Sequence, residues 1–337
     1  FLGDEVMKND SYSLTSDDIA KRGGRAIQLA TNARAFKNDP LSGLLSMKVS
    51  NEMVRKIADA KFAWLQLIPE GHAVAICAKP NGGKTTVFIQ AAADMARKGY
   101  KVLYINADAS ASDIKEYAQH ANDYGYTLIN PDISGHSNEK VVKELEAMAS
   151  IDASFSNTVL ILDTLKKFTD MMSKKHGKVF YSILRTLTSK GMTVIILGHT
   201  NKYDAKDGSP IYEGTGDLRA DFDDLIYLIP IKNIDGTMTV STRIDKSRAA
   251  LVDTTFLIDQ NRIVTIAESH IDTLAIERDR KIKEADTKAI AFILENIRLV
   301  SKSASELFNL SNDGDAGFTR RHLKAVLPRY AVDSCDD

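Results

Sequence analysis

The sequence predicts an α/β fold: a mostly parallel sheet with helices on both faces, an antiparallel C-terminal extension and a small helical module at the end. Three observations carry this expectation. Four short, nearly continuous apolar runs, at 73–77, 101–105, 158–162 and 193–197, alternate with helical patterns, and strands apolar on both faces belong in a sheet covered on both sides. The first run ends in a glycine-rich turn that opens a helix. After about residue 224 the strands succeed one another directly, and Asp235-Gly236 is a hairpin signal.

Taken in order, residues 1–50 form a polar N-terminal arm broken by Gly23-Gly24, Asp39-Pro40 and Gly43, with short helices around 16–35. Met53, Val54, Ile57, Ala60, Phe62 and Ala63 space as a helix over 51–66. The strand at 73–77 leads to a helix from Lys84 to Lys98, closed by Gly99. The strand at 101–105 leads to a helix near 111–123, ended before Gly125. Val141, Val142, Leu145 and Met148 mark another helix before the strand at 158–162. A helix near 177–190, closed by Gly191, precedes the strand at 193–197. Further strands are expected at 225–231, 237–244, 254–258 and 262–266, with a turn at 259–261. The domain expected from these elements spans 51–270. Residues 271–286 read as a charged, solvated helical connector, and 287–331 as three short helices.

Composition bounds the function classes. The chain has 337 residues, 44 basic against 45 acidic, for a net charge of −1, with 44% hydrophobic and 26% charged residues. These values fit a globular protein and exclude a collagen-like or wholly disordered chain. The near-neutral balance argues at first against nucleic acid, whose partners usually carry a strongly basic footprint. Two cysteines, Cys77 and Cys335, form no CxxC pair, so neither a zinc site nor a redox motif is expected, and such thin usage fits a reducing cytoplasm. Phe1 to Asp10 lack the apolar core of a signal peptide.

The chemistry concentrates in Ala78-Lys79-Pro80-Asn81-Gly82-Gly83-Lys84-Thr85-Thr86, between a strand and a helix. This is the phosphate-loop pattern with Ala78 at the first glycine position. Converging main-chain N–H groups and a helix N-terminus suit a nucleoside triphosphate. Lys84 would reach the β- and γ-phosphates and Thr85 would ligate Mg²⁺. Asp163, at the end of the third strand, is placed to support the metal or to cap the turn of helix after it. Asp108, after the second strand, is placed to activate water or to cap the helix beginning near 110. His199 is the first polar side chain after the fourth strand, a γ-phosphate sensor or a buried core histidine.

Lys84-Thr85, Asp108, Asp163 and His199-Thr200-Asn201-Lys202, in that order, resemble the RecA-type ATPases, and more narrowly the RepA-type plasmid helicases and the hexameric bacterial replicative helicases. The resemblance covers roughly residues 50–266. It implies a RecA-like fold, ATP and Mg²⁺ as cofactors, and a homo-hexamer on single-stranded DNA. It further implies that His199 couples the γ-phosphate to a DNA-binding loop. Lys246-Ser247-Arg248 matches the family's basic finger, in which Lys246 and Arg248 act on a neighbouring subunit's nucleotide. Gly214 to Asp221 resembles the element located after the sensor strand. Two residues depart from the family: Ala78 for glycine, and Asp108 where glutamate is more frequent.

Two loops would face a central channel. One carries Lys166, Lys167, Lys174, Lys175, His176 and Lys178, the other Lys202 and Lys206. Such lysines track phosphates without reading bases, or simply form a solvated face. The last helices, with Thr319-Arg320-Arg321-His322-Leu323-Lys324, resemble a winged-helix unit that would bind DNA or dock a protein, such as a replication-initiation or primase partner. The sequence thus predicts an ATP hydrolase and DNA helicase of a plasmid, phage or mobile element. The alternatives are a recombination or repair ATPase, or an ATP-switched loader without unwinding activity.

Overall fold

The computed structural model describes residues 41–56, 61–169, 174–205, 208–213, 219, 221–311 and 317–330, with the side chains of 54–56 and 174–176 left aside. The helices expected around 16–35, Lys206, most of the 214–221 segment and Cys335 lie outside these residues. The chain divides into Phe1–Asp59 and Ala60–Asp337. In the first unit the described residues form two short helices, Ser42–Leu45 and Asn51–Lys56.

The second unit is built on a nine-stranded sheet. Its strands are β3 (Ala73–Ala78), β4 (Lys101–Asn106), β5 (Thr127–Ile129), β6 (Thr158–Asp163), β7 (Thr193–His199), β8 (Asp224–Lys232), β9 (Met238–Lys246), β10 (Thr255–Ile258) and β11 (Val264–Ile266). Their order is β11-β10-β9-β8-β3-β7-β6-β4-β5. From β8 to β5 all neighbours are parallel, and β8 to β11 form an antiparallel meander. This is the mostly parallel α/β architecture with an antiparallel C-terminal extension that the sequence predicts.

Alternation along β3 assigns the two faces. Val74, Ile76 and Ala78 join a core under the Lys84–Arg97 helix, with Val87, Phe88, Ala91 and Met95. Ala75 and Cys77 join the opposite core, with Phe180, Leu184 and Leu187 of the Lys174–Ser189 helix. Cys77 is fully buried, and burial pushes its thiol up to about 12, so it behaves as a small apolar side chain.

Three sequence expectations change. Residues 51–66 do not form one helix. The Asn51–Lys56 helix is succeeded by a two-stranded ribbon of β1 (Phe62–Trp64) and β2 (Ile68–Pro69). The reason is Trp64, whose ring stacks on Phe256 (5.3 Å between centroids, 4° apart) and packs on Phe88 (5.7 Å), contacts that outweigh the helical spacing. The three-residue edge strand β5 had no signal in so short a run. Finally, the charged stretch 271–286 and the next predicted helix are one continuous helix, Thr273–Ile297, anchored at its start by Thr273 Oγ1 donating to the Ile229 carbonyl (2.8 Å).

Beyond the Thr273–Ile297 helix lie helices Ala304–Leu310 and Arg320–Tyr330, which close over Ala289, Phe318, Leu323 and Val326. Ser303 caps the shorter helix in a reciprocal capping box with Glu306. No strand lies between these helices among the described residues.

Candidate active site

Parallel strands deliver their C-terminal ends to one edge of the sheet, where ligands of such folds bind. The ends of β3, β4, β6 and β7 bring Ala78, Asn106, Asp163 and His199 to that edge, in register: Ala78 pairs with His199, and Asn106 with Asp163.

The loop from β3 into the Lys84–Arg97 helix is shaped by its small residues. Ala78 is the last, fully buried residue of β3, so its Cβ points into the core rather than at the cradle. A Cβ at Gly82 would stand 2.8 Å from the Lys79 carbonyl oxygen and 3.0 Å from the Ala78 Cβ; the alanine is accommodated because the later position is glycine. Gly83 caps the helix at φ +81°, a left-handed conformation in which a side chain would also crowd Ile258.

Lys84 and Asp163 form the charged centre. The Lys84 ammonium lies 3.4 Å from the Ala78 carbonyl, 3.5 Å from that of Lys79 and 3.4 Å from His199 Nδ1. Burial lowers its pKa, against the pull of Asp163. Asp163 Oδ2 accepts from the Thr85 hydroxyl (2.8 Å), the Tyr104 hydroxyl (2.9 Å) and the Asn106 amide (3.4 Å). Burial raises the Asp163 pKa; the Thr85 and Tyr104 hydrogen bonds and Lys84 oppose that rise. A carboxylate so buried, with a hydroxyl already bridging to it, is a hard-oxygen donor set suited to Mg²⁺.

His199 completes the end of the cleft. Burial first, then Lys84 and Lys166, lower its pKa to about 4, so the ring is neutral at pH 7. Lys84 can only donate, so an Nδ1 that accepts from it leaves the ring proton on Nε2. That Nε2 is buried and without a hydrogen-bond partner among the described residues, a donor waiting for an acceptor. A terminal phosphate held by Lys84 would supply one. The residues present therefore fit a nucleoside triphosphate with its metal.

The cleft has a volume of about 430 Å³ and is walled by the loop, Asp108, Asp163 and His199, and on the far side by Tyr117, Met238 and Arg262. It continues into a second cleft of about 340 Å³, whose wall includes Tyr117, His120, Tyr124 and Arg262. Tyr117, Arg262, Tyr104 and Asn106 were not singled out from the sequence. A tyrosine and an asparagine in the otherwise apolar run of β4 were the available signal, since buried polar tips need partners. Arg262 gave none, because its role depends on the β10–β11 turn, where it sits at φ +64°.

Other predicted residues fall in distinct places. Asp108 is at the cleft, with Lys167 Nζ 3.6 Å away. Lys79 turns out of the cradle and pairs with Asp204 of the loop after β7 at 2.7 Å. Lys202 lies over the ring of Tyr203, which is largely exposed. Lys174 and Lys175 open the helix after the Asp163 loop. Lys246 and Arg248 are not at this cleft. Lys246 pairs with Leu225, which is level with Ala75 of β3, and Asp224 is level with Val74. The finger turn thus sits at the opposite edge of the sheet, about 13 Å from the level of Ala78 at ~3.3 Å per residue.

Residues 40–205 match the family model of an AAA domain. A DNA repair protein, RadA, of Brucella abortus (strain 2308) is 24% identical over 195 residues, which cover 55% of this chain and 38% of the relative. The match therefore takes in well under half of that relative's length. The crystal structure of the flagellar accessory protein FlaH from Methanocaldococcus jannaschii superposes with a TM-score of 0.43 at 15% identity, over 60% of this chain and 92% of that one. The sheet order and phosphate cradle fit a nucleotide-binding α/β domain, and the family match at 40–205, just under half of the chain, takes in that cradle.

Proposed function

We propose that this chain is an ATP- and Mg²⁺-dependent motor that assembles as a homo-hexameric ring and translocates on single-stranded DNA as a replicative helicase. The observation that carries the reading is the separation of Lys246 and Arg248 from the Lys84 of their own protomer by the height of the sheet. A basic pair too far from its own cradle to reach that nucleotide is placed to act on a neighbour's, which a ring or filament would supply.

In this reading the loop N–H groups, Lys84 and His199 Nε2 hold the polyphosphate. Thr85 and Asp163 hold Mg²⁺, which neutralises phosphate charge when bound. Tyr117 and Arg262, which line both clefts, would hold the base. Asp108 is the carboxylate that orients the attacking water, and Lys167 Nζ lies 3.6 Å from it. Arg248 of the adjacent subunit offsets the charge that develops on the transferred phosphoryl group, a contribution of about 10³–10⁵ in rate in related chemistry. Lys166, Lys167, Lys174, Lys175, Lys202 and Lys206 are the DNA contacts of this reading.

The match to a DNA repair protein favours a second reading, a repair ATPase that forms rings or filaments without processive unwinding. A forked-duplex assay separates the two. The helicase reading expects ATP-dependent strand displacement together with stimulation of ATP hydrolysis by single-stranded DNA. Stimulation without displacement supports the repair reading, and ATP binding without stimulation contradicts both.

A further inference from the structure

Two adjacent carboxylates at the start of β8 hold the turn that carries Lys246 and Arg248, and they divide the task. Asp224 is fully buried and fixes the main chain of the turn: its Oδ1 accepts from Ser247 Oγ (2.7 Å) and from the Arg248 N–H (3.0 Å), while Oδ2 lies 2.7 Å from His72 Nδ1. Asp223 acts on the side chain. Its Oδ1 accepts from Arg248 Nη1 (2.7 Å) and from Arg185 Nη1 (2.9 Å), and its Oδ2 from the Ala73 N–H (3.0 Å).

The sharing of one carboxylate oxygen by two arginines is the informative feature. A buried carboxylate that loses its only cation is left uncompensated at high cost. Asp223 is spared that cost, because Arg185 stays: it comes from a different element, the Lys174–Ser189 helix, and is also held by the Asp221 carbonyl (3.0 Å). Arg248 is the more exposed of the two side chains, 54% against 44%. A guanidinium fork that fits a carboxylate also fits phosphate oxygens.

We propose that Asp223 is a positioning residue that stows the Arg248 guanidinium in the isolated protomer, with Arg185 as the standing counter-charge that lets the finger pass from carboxylate to a neighbour's phosphates. The proposal rests on the trans-finger reading above.

The test uses the full chain, with ATP turnover per protomer measured against protein and ATP concentration. Asp223→Asn keeps an amide oxygen for the Ala73 N–H and removes the charge, so turnover rises about two- to fivefold, the scale of a partly exposed ion pair. Arg185→Ala makes Arg248 the only guanidinium on Asp223 and lowers turnover by a similar factor. Both variants keep the KM for ATP, because Asp223 lies at the far edge of the sheet from its own cradle. A general loss of fold cannot give opposite signs, and Arg185→Ala decides the matter alone if Asp223→Asn is unstable. Decreased turnover in Asp223→Asn with an unchanged melting temperature, or unchanged or raised turnover in Arg185→Ala, overturns the stowing role while leaving the finger intact. Wild-type turnover in Arg248→Ala removes the finger reading itself, and the stow with it.

Discussion

Asp163 gathers three donors on a single oxygen, drawn from two elements: Thr85 from a helix start, Tyr104 and Asn106 from β4. Removal of one leaves a buried carboxylate less satisfied, whereas removal of Lys84 takes away the ammonium at the cradle floor. Lys84→Ala is therefore expected to lower ATP turnover by about 10²–10³, the scale for loss of one preorganised electrostatic contact, measured by phosphate release. His199 carries a pH prediction. Its folded pKa, about 4, lies below the ordinary 6.5. Above 6.5 it contributes no pH dependence; as pH falls from 6.5 the unfolded chain takes up a proton that the folded one resists, and stability declines until about pH 4. His199→Gln removes that component, so its melting temperature should fall less than that of the wild type between about pH 6.5 and 4.5. Lys84 and Thr85 were legible as the end of a phosphate-loop pattern between a strand and a helix, and Asp163 and His199 as polar residues at the end of apolar runs. Tyr104, Asn106 and Arg262 were not, because their roles exist only once β4 lies beside β6 and the β10–β11 turn folds back over the cleft.

Elements place these residues, and the element hardest to read was the one fixed by remote packing. Helical spacing over 51–66 is real, yet Trp64 is packed against Phe256 and Phe88 and donates its indole N–H to Asp94 at 3.0 Å. Trp64→Ala removes the largest fully buried side chain of the ribbon and is expected to cost about 3–5 kcal/mol, checked by urea unfolding monitored by circular dichroism. The strands of the parallel core were legible because burial on both faces demands uninterrupted apolar runs. Where a pair of charged groups substitutes for apolar packing, pH reports on it. The hydrogen bond that His72 donates to Asp224 raises the His72 pKa against burial, and for Asp224 burial is overcome by His72 and Ser247, which lower it. The His72 contribution to stability is complete below about 6.5 and is lost as pH rises through the raised His72 value. His72→Gln should flatten the wild-type decline in melting temperature above about pH 6.5.

At the scale of the whole molecule, a net charge of −1 first seemed to speak against a nucleic-acid partner. The placement of charge changes that inference. Four carboxylates, Asp163, Asp223, Asp224 and Asp286, are buried, while Lys166, Lys167, Lys178 and Lys202 stand on two loops at the C-terminal edge of the sheet or on the helix after it. A motor needs a basic channel rather than a basic protein, and the total charge does not report on a channel. The long Thr273–Ile297 helix shows the same limit of local reading: its charged first half looked like a connector, yet Lys281 approaches Asp204, the residue that also holds Lys79 of the phosphate loop. In the proposed ring, each catalytic site is completed by the neighbouring subunit's Arg248. Mixing Arg248→Ala chains, which keep Lys84, with Lys84→Ala chains, which keep Arg248, and measuring ATP turnover with single-stranded DNA tests this. Completion in trans predicts that the two nearly inactive chains regain turnover on mixing, where an intact Lys84 meets a neighbour's intact Arg248; turnover no higher than the sum of the two chains measured apart would contradict it.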